Sequence, residues 1–263
     1  MKTTQFISAA TALAGLALVG SAANAATWTY SSTGPTSSAG LTATASAFSA
    51  TNNATSTITA TTAYYSGGLG VKSTGEVTTS PQHAIDNNNS TIETVMLSFS
   101  NGVGGITSAD KVNLTSASFG WVGSLSSTIA KDSDFSVYAY TGSSAAPSPL
   151  GVSYANLTSN GWTLIGHFNG GSSAGTKTFA NSVYSSNWLI GAYNGLGSGT
   201  GLDSANDFFK MASVSGNLCP TVGTPPAGCN GGSTPGGVPE PGTLLLMGAG
   251  LLGLTRMTRR KVS

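Results

Sequence analysis

The stretch V-N-L-T-S-A-S-F-G-W-V, from Val112 to Val122, sets apolar residues against small or hydroxylated ones at a period of two. That period sends successive side chains to opposite faces of an extended chain, which is the pattern of a β-strand with one face on a core. The alternation recurs upstream in L-T-A-T-A-S-A-F-S (Leu41 to Ser49), A-T-S-T-I-T-A-T-T-A-Y-Y (Ala54 to Tyr65) and I-E-T-V-M-L-S-F (Ile92 to Phe99). Downstream it recurs in D-F-S-V-Y-A-Y-T (Asp134 to Thr141), W-T-L-I-G-H-F (Trp162 to Phe168), T-K-T-F-A (Thr176 to Ala180), N-W-L-I-G-A-Y (Asn187 to Tyr193) and F-F-K-M-A-S-V-S (Phe208 to Ser215). Clusters of Gly, Asn, Ser and Pro separate these runs, and helical periodicity is confined to a turn or two around Leu150 to Thr158. Many short strands between turn signals predict an all-β domain over residues 26–217, an antiparallel β-sandwich or jelly roll.

Both ends of the chain fall outside that pattern. Lys2, an apolar run from Phe6 to Val19 and the A-x-A pattern Ala23-Asn24-Ala25 predict a signal peptide over residues 1–25, with the mature chain starting near Ala26 after signal peptidase cleavage. At the other end V-P-E-P-G (Val238 to Gly242) precedes an apolar run from Thr243 to Leu254 and a basic stop of Arg256, Arg259, Arg260 and Lys261. As a helix the apolar run reaches about 18 Å, short of a ~30 Å hydrocarbon core. Snorkelling arginines and local bilayer thinning make up the difference, so a membrane helix is expected over residues 243–257. The basic residues hold that end in the cytoplasm and place the rest of the chain outside.

Val238 to Lys261 resembles the PEP-CTERM sorting signal of exosortase substrates, with Pro239, Glu240 and Pro241 matching the motif position by position. The resemblance implies transient residence in the inner membrane, processing by exosortase, a membrane-embedded cysteine protease, and delivery to the cell surface or extracellular matrix. On this reading residues 238–263 are a sorting signal, and its membrane helix, like the signal helix, lies outside the fold.

Removing the two ends changes the electrostatics. Residues 26–238 carry five lysines, no arginine and eight carboxylates, a net charge of −3, against +1 for the whole chain. No basic stripe is present, which excludes a nucleic-acid partner. Cys219 and Cys229 bracket a short Pro/Gly-rich loop, and export places them where disulfides persist, so a bridge between them is expected. Residues 218–237 read as a Pro/Gly-rich linker that contains this loop.

The body also resembles a family of exosortase-dependent surface proteins. G-G-L-G-V (Gly67 to Val71), S-P-Q-H-A-I-D-N (Ser80 to Asn87), V-M-L-S-F (Val95 to Phe99), S-F-G-W-V (Ser118 to Val122), G-W-T-L-I-G (Gly161 to Gly166), N-W-L-I-G-A-Y-N (Asn187 to Asn194) and D-F-F-K (Asp207 to Lys210) occur there in this order. The likeness spans roughly Tyr64 to Val214 and implies a class of protein but no activity.

The densest polar run is H-A-I-D-N-N-N-S-T-I-E, His83 to Glu93. Asp86, Asn88 and Glu93 offer the oxygen ligands that a structural Ca²⁺ takes; the alternative is an Asn-rich turn with Glu93 facing solvent. The spacing is not that of an EF-hand, and no other cofactor is expected. G-S-S-A-G (Gly171 to Gly175) fits G-x-S-x-G with Ser173 as nucleophile, but a nucleophile elbow needs a helix after it, and a strand is expected there. Trp121 and Trp162 are expected in the core; Tyr64, Tyr65 and Tyr184 sit beside Gly/Ser loops and are expected at the surface, where rings can stack on sugars. These features predict a non-enzymatic surface or matrix protein associated with exopolysaccharide or biofilm. The alternative is a carbohydrate-binding module, and a secreted hydrolase is more remote.

Overall fold

The structure is a computed structural model that describes residues 25–31, 36–51, 53–76, 83–102, 110–144, 147–204, 206–220 and 225–229. Thirteen strands lie in these residues: β1 (Ala25–Thr29), β2 (Ser37–Ser38), β3 (Leu41–Thr51), β4 (Thr59–Tyr65), β5 (Leu69–Lys72), β6 (Ile85–Asp86), β7 (Thr91–Ser100), β8 (Val112–Val122), β9 (Phe135–Tyr140), β10 (Trp162–Phe168), β11 (Gly175–Thr178), β12 (Asn187–Ala192) and β13 (Phe208–Leu218). Among the described residues there is no α-helix, and no helix is long and apolar enough to cross a membrane. Short 3-10 turns complete the regular structure, two of them at Tyr154–Asn156 and Thr158–Asn160, near where a helical turn is expected.

All strand pairings are antiparallel, and the main path runs β10-β9-β12-β7-β3-β4-β5-β13-β8-β11. The sheet curls over at β4: Thr59 to Thr61 pair with β3, and Thr62 to Tyr65 pair with β5. Its two halves therefore close on one another as a sandwich does, with one strand belonging to both. The long strand β13 lies beside β8, and its other edge is taken in turn by β6, β5 and β1.

The alternation seen in the sequence is what fills the core. Trp28 of β1 meets Phe99 of β7 edge-on at 4.7 Å, while Phe119 of β8 stacks on Phe209 of β13 at 4.0 Å and meets Phe135 of β9 at 5.2 Å. The opposite faces of β9 and β12 are also covered. Val137, Ala139, Trp188 and Ile190 point into this main core, whereas Tyr138 and Leu189 join Phe48, Ile58, Leu157 and Trp162 in a second apolar cluster. The segments carrying Ile58 and Leu157 roof that cluster, which is why every residue of β12 is buried.

Three local readings are corrected. Strand β4 begins at Thr59 instead of Ala54, because Asn53 Oδ1 accepts the Thr55 N–H at 2.9 Å and turns the chain first. Trp162 is buried, but Trp121 is only half-buried and lies 5.7 Å below the Lys210 ammonium, an arrangement that lets the ring face the edge of the core. Tyr64, Tyr65 and Tyr184 are half-buried rather than fully exposed.

Cys219 and Cys229 are disulfide-bonded, with Cα atoms 5.7 Å apart. Cys229 is buried and Lys111 Nζ donates to the Gly228 carbonyl at 2.7 Å, so the loop docks on the β-domain. Residue Ala25, the expected last residue of the signal peptide, starts β1 opposite Asn217. The remainder of that segment including Ala23, and the whole sorting signal with Pro239, Glu240, Pro241 and the basic stop, lie outside the described residues.

Candidate metal centre

Two acidic clusters sit on either side of the short β6–β13 pairing, where Asp86 faces Phe208 and Ile85 faces Phe209. In each, three carboxylates offer one oxygen apiece within 4.8 Å of the others. Two full charges at that separation repel by about 3 kcal/mol at an effective dielectric near 20. Each cluster must therefore be relieved by protons, by hydrogen bonds or by a cation.

The first cluster joins Asp86 and Glu93, both expected from the sequence, to Glu76, which the sequence did not single out. Strand β7 places Glu93 with its side chain 0% exposed, and β6 places Asp86 at 1%. The Ser73 hydroxyl donates to Glu93 Oε1, the Asp86 N–H donates to Glu93 Oε2 at 3.2 Å, and the Ser73 N–H donates to Glu76 Oε2 at 2.7 Å. Burial pushes the Asp86 carboxyl up to about 8, against the pull of the Asn88 N–H and with a smaller push from Glu76. Burial, then Asp86 and Glu76, hold Glu93 well above the carboxylate range. Asn88 meets the cluster through its backbone: its N–H donates to Asp86 Oδ1 at 3.0 Å, and its side-chain Nδ2 is buried with no hydrogen-bond partner among the described residues.

The second cluster is Asp132, Asp134 and Asp207, with Asp203 close enough to raise the proton affinity of all three. Asp132 and Asp134 stand just ahead of β9, and Asp207 stands just ahead of β13. A parallel bridge between Asp132 and Asp207 brings the starts of these strands together, with the Phe208 N–H donating to the Asp132 carbonyl at 3.0 Å. The Asp134 N–H donates to Asp207 Oδ1 at 2.6 Å, the Ser133 N–H to Asp132 Oδ1 at 2.8 Å and the Asp203 N–H to Asp134 Oδ2 at 3.0 Å. Burial is the main cause that lifts Asp207 to about 9 and Asp134 to about 6, the neighbouring aspartates adding to it. Sequence reading missed this cluster. Its one local signal is D-S-D, Asp132 to Asp134, and the partner that completes it lies more than seventy residues away.

The other candidate chemistry does not assemble around Ser173. Strand β11 follows it directly, and its carbonyl accepts a hydrogen bond from Lys177 Nζ at 2.8 Å. His167 Nδ1 is paired with Ser136 Oγ at 2.8 Å, while His83 is buried between Tyr64 and Lys210.

Clefts open on the surface of the described residues, two of them of similar size. One, of about 580 Å³, is lined by amides, among them Asn53, Asn87, Asn88, Asn194 and Asn206. The other, of about 570 Å³, is lined by Tyr140 and Tyr184 together with Lys111, Thr141 and Ser186.

Comparison with known protein families finds the PEP-CTERM protein-sorting motif at residues 237–261. No curated protein and no solved structure matches the chain.

Proposed function

From the PEP-CTERM sorting motif, which directs exosortase substrates to the cell surface, we propose that this chain is a non-catalytic surface or extracellular-matrix protein associated with exopolysaccharide or biofilm. The sorting motif is the observation that carries the reading. A signal peptide over residues 1–25 takes the chain through the inner membrane, and exosortase processes the tail. Support for a non-catalytic role comes from Ser173, whose G-x-S-x-G match runs into strand β11 instead of a helix, and from Ser136, the hydroxyl that His167 meets, which is buried. An acidic domain without arginine, rich in Ser, Thr, Gly and Asn, suits a hydrated polysaccharide matrix.

The test is the fate of the protein in producing cells that lack the sorting protease. Retention in the membrane with the tail attached is expected; an unchanged released form overturns the proposal.

A second reading, a carbohydrate-binding module, is favoured by one observation. Tyr140 and Tyr184, both half-buried, line the same cleft with serine and threonine hydroxyls, which combines ring faces with hydrogen-bonding groups. Retention on the producer's own polysaccharide in affinity electrophoresis, lost in Tyr184→Ala, is the expected result. Equal mobility with and without polysaccharide removes this reading and leaves the first intact.

A further inference from the structure

We propose that Asp132, Asp134 and Asp207 form a Ca²⁺ site that clamps the start of β9 to the start of β13. Both acidic clusters hold a buried carboxyl oxygen with no hydrogen-bond partner among the described residues, Asp86 Oδ2 in the first and Asp134 Oδ1 in the second, but they differ in the charges around them. In the first, the Ser73 hydroxyl donates to Glu93 and the Lys72 charge acts on Glu76, which offsets part of the repulsion without an ion. In the second, the hydrogen bonds described at the carboxylates come from N–H groups: Ser133, Asp134 and Asp203 of the backbone and the Asn87 side chain. Donors of that kind suit an ionised carboxylate, while burial and crowding raise the proton affinity of Asp134 and Asp207, a strain that a bound cation relieves by displacing the protons.

Asp134 supplies the independent observation. Its side chain is 0% exposed, Oδ2 takes the Asp203 amide, and Oδ1 is buried with no hydrogen-bond partner among the described residues. The Gly170 amide also lowers the proton affinity of this carboxyl, while Oδ1 has no hydrogen-bond partner among the described residues. A buried carboxyl with one oxygen lacking a donor, and with an oxygen within 4.8 Å of those of Asp132 and Asp207, is a group prepared for a cation.

The charges that raise the proton affinity of these three carboxylates are those of neighbouring aspartates, with Asp203 acting on each. An all-oxygen, multiply anionic set selects a hard cation, and the absence of histidine and cysteine from the cluster disfavours zinc and copper. Asp132 is half-buried and Asp203 exposed, which leaves the ion a route from solvent. Because β9 and β13 belong to opposite halves of the curled sheet, one ion bound here ties the halves together at this end.

The experiment follows thermal unfolding of the exported protein after EGTA treatment, with Ca²⁺ or Mg²⁺ added back to about 10 mM, enough to fill the weak sites usual in extracellular modules. Ca²⁺ is expected to raise Tm by several degrees and Mg²⁺ much less. Asp134→Asn is expected to lose the Ca²⁺-dependent rise while melting no lower than the parent in EGTA, since it removes a charge from a repulsive cluster. Asp132→Asn, at a half-buried position, tests the site should Asp134→Asn fold poorly; it is expected to weaken Ca²⁺ at least tenfold. No Ca²⁺-dependent rise in the parent, or a rise that survives in Asp132→Asn, overturns the proposal. So does a rise lost in Glu93→Gln but kept in Asp134→Asn, which moves the ion to the other cluster. The inference stands apart from the sorting proposal, and either can fail alone.

Discussion

Asn87 and Asp207, 120 residues apart in the chain, hold one another by two reciprocal hydrogen bonds. The Asn87 side-chain Nδ2 donates to Asp207 Oδ2, and the Asp207 backbone N–H donates to Asn87 Oδ1 at 3.0 Å. Asn87 directly follows Asp86 of one acidic cluster, and Asp207 belongs to the other, so this pair fixes the two clusters relative to one another. The Asn87 Nδ2 also donates to the Tyr193 carbonyl at 3.3 Å, which brings the end of β12 to the same point.

Replacing Asn87 by Ala removes the acceptor of a buried backbone N–H and a donor to a buried carboxylate. Each loss leaves a polar group unsatisfied at about 1–3 kcal/mol, so a destabilisation of about 2–4 kcal/mol is expected in urea unfolding. Asn87→Asp keeps the acceptor but adds a like charge, and is expected to be the more destabilising of the two in EGTA. A loss under about 0.5 kcal/mol for the alanine variant contradicts this reading.

The Glu76–Asp86–Glu93 cluster makes stability depend on pH in a stated direction. Burial raises the proton affinity of Asp86 and Glu93 in the folded state, so between the ordinary aspartate value of 3.8 and about 8 the fold holds more protons than the unfolded chain. Their contribution is fully present at acid pH and is lost as pH rises toward about 8. Lys72, beside Glu76, opposes the rise only at that residue, and Tyr154 near Glu93 is itself held neutral. Urea midpoints in EGTA are expected to fall over this range, with a smaller slope in Glu93→Gln. Midpoints that climb instead reverse the sign and rule out neutral carboxyls.

The Cys219–Cys229 bridge closes a loop with a sequence separation of 10. Loop-entropy reasoning assigns it about 2–3 kcal/mol, and its loop docks through Gly228 on Lys111. Cys219→Ser/Cys229→Ser is expected to lower stability by that amount while leaving the β-sheet circular dichroism unchanged. Loss of the sheet signal contradicts the view that the bridge staples an already formed domain.

Gly70 lies in β5 against the backbone of His83, and a Cβ there would collide with the His83 carbonyl oxygen. Backbone cannot yield as a flexible side chain can, so Gly70→Ala is expected to cost at least about 2 kcal/mol and to detach the segment leading into β6. Faster amide exchange confined to Val71 and Ile85 is the corresponding readout, since the Val71 N–H donates to the Ala84 carbonyl.

Trp188 anchors β12 through its indole N–H, which donates to the carbonyls of Ser185 at 3.0 Å and Val112 at 3.2 Å. Trp188→Phe keeps most of the apolar volume and removes the donor. A cost of about 1–3 kcal/mol is expected from equilibrium unfolding, and a neutral result means that the N–H adds nothing beyond packing.

Strand positions were legible wherever one face is buried, because period two is a property of the chain itself. Val112 to Val122 and Trp162 to Phe168 form strands over the residues that show the alternation. Strands β1, β5 and β6 were not legible: they are short, and their identity comes from lining one edge of β13. The buried second face of β12 was equally hidden, since the cover over Leu189 is supplied by Ile58 and Leu157 from distant segments. Asp86 and Glu93 could be singled out because only six residues separate them in a polar run. Glu76, and the meeting of Asp132 and Asp134 with Asp207, depend on which strands become neighbours.

The sequence alone determined the all-β class, the disulfide and the sorting address, read at residues 238–263 and matched at 237–261, since each is written in local spacing and composition. The tertiary structure decided where the charges collect. Carboxylates repel unless strand pairing forces them together, and only the curl of the sheet at β4 and the edge of β13 impose that convergence on Asp132, Asp134 and Asp207.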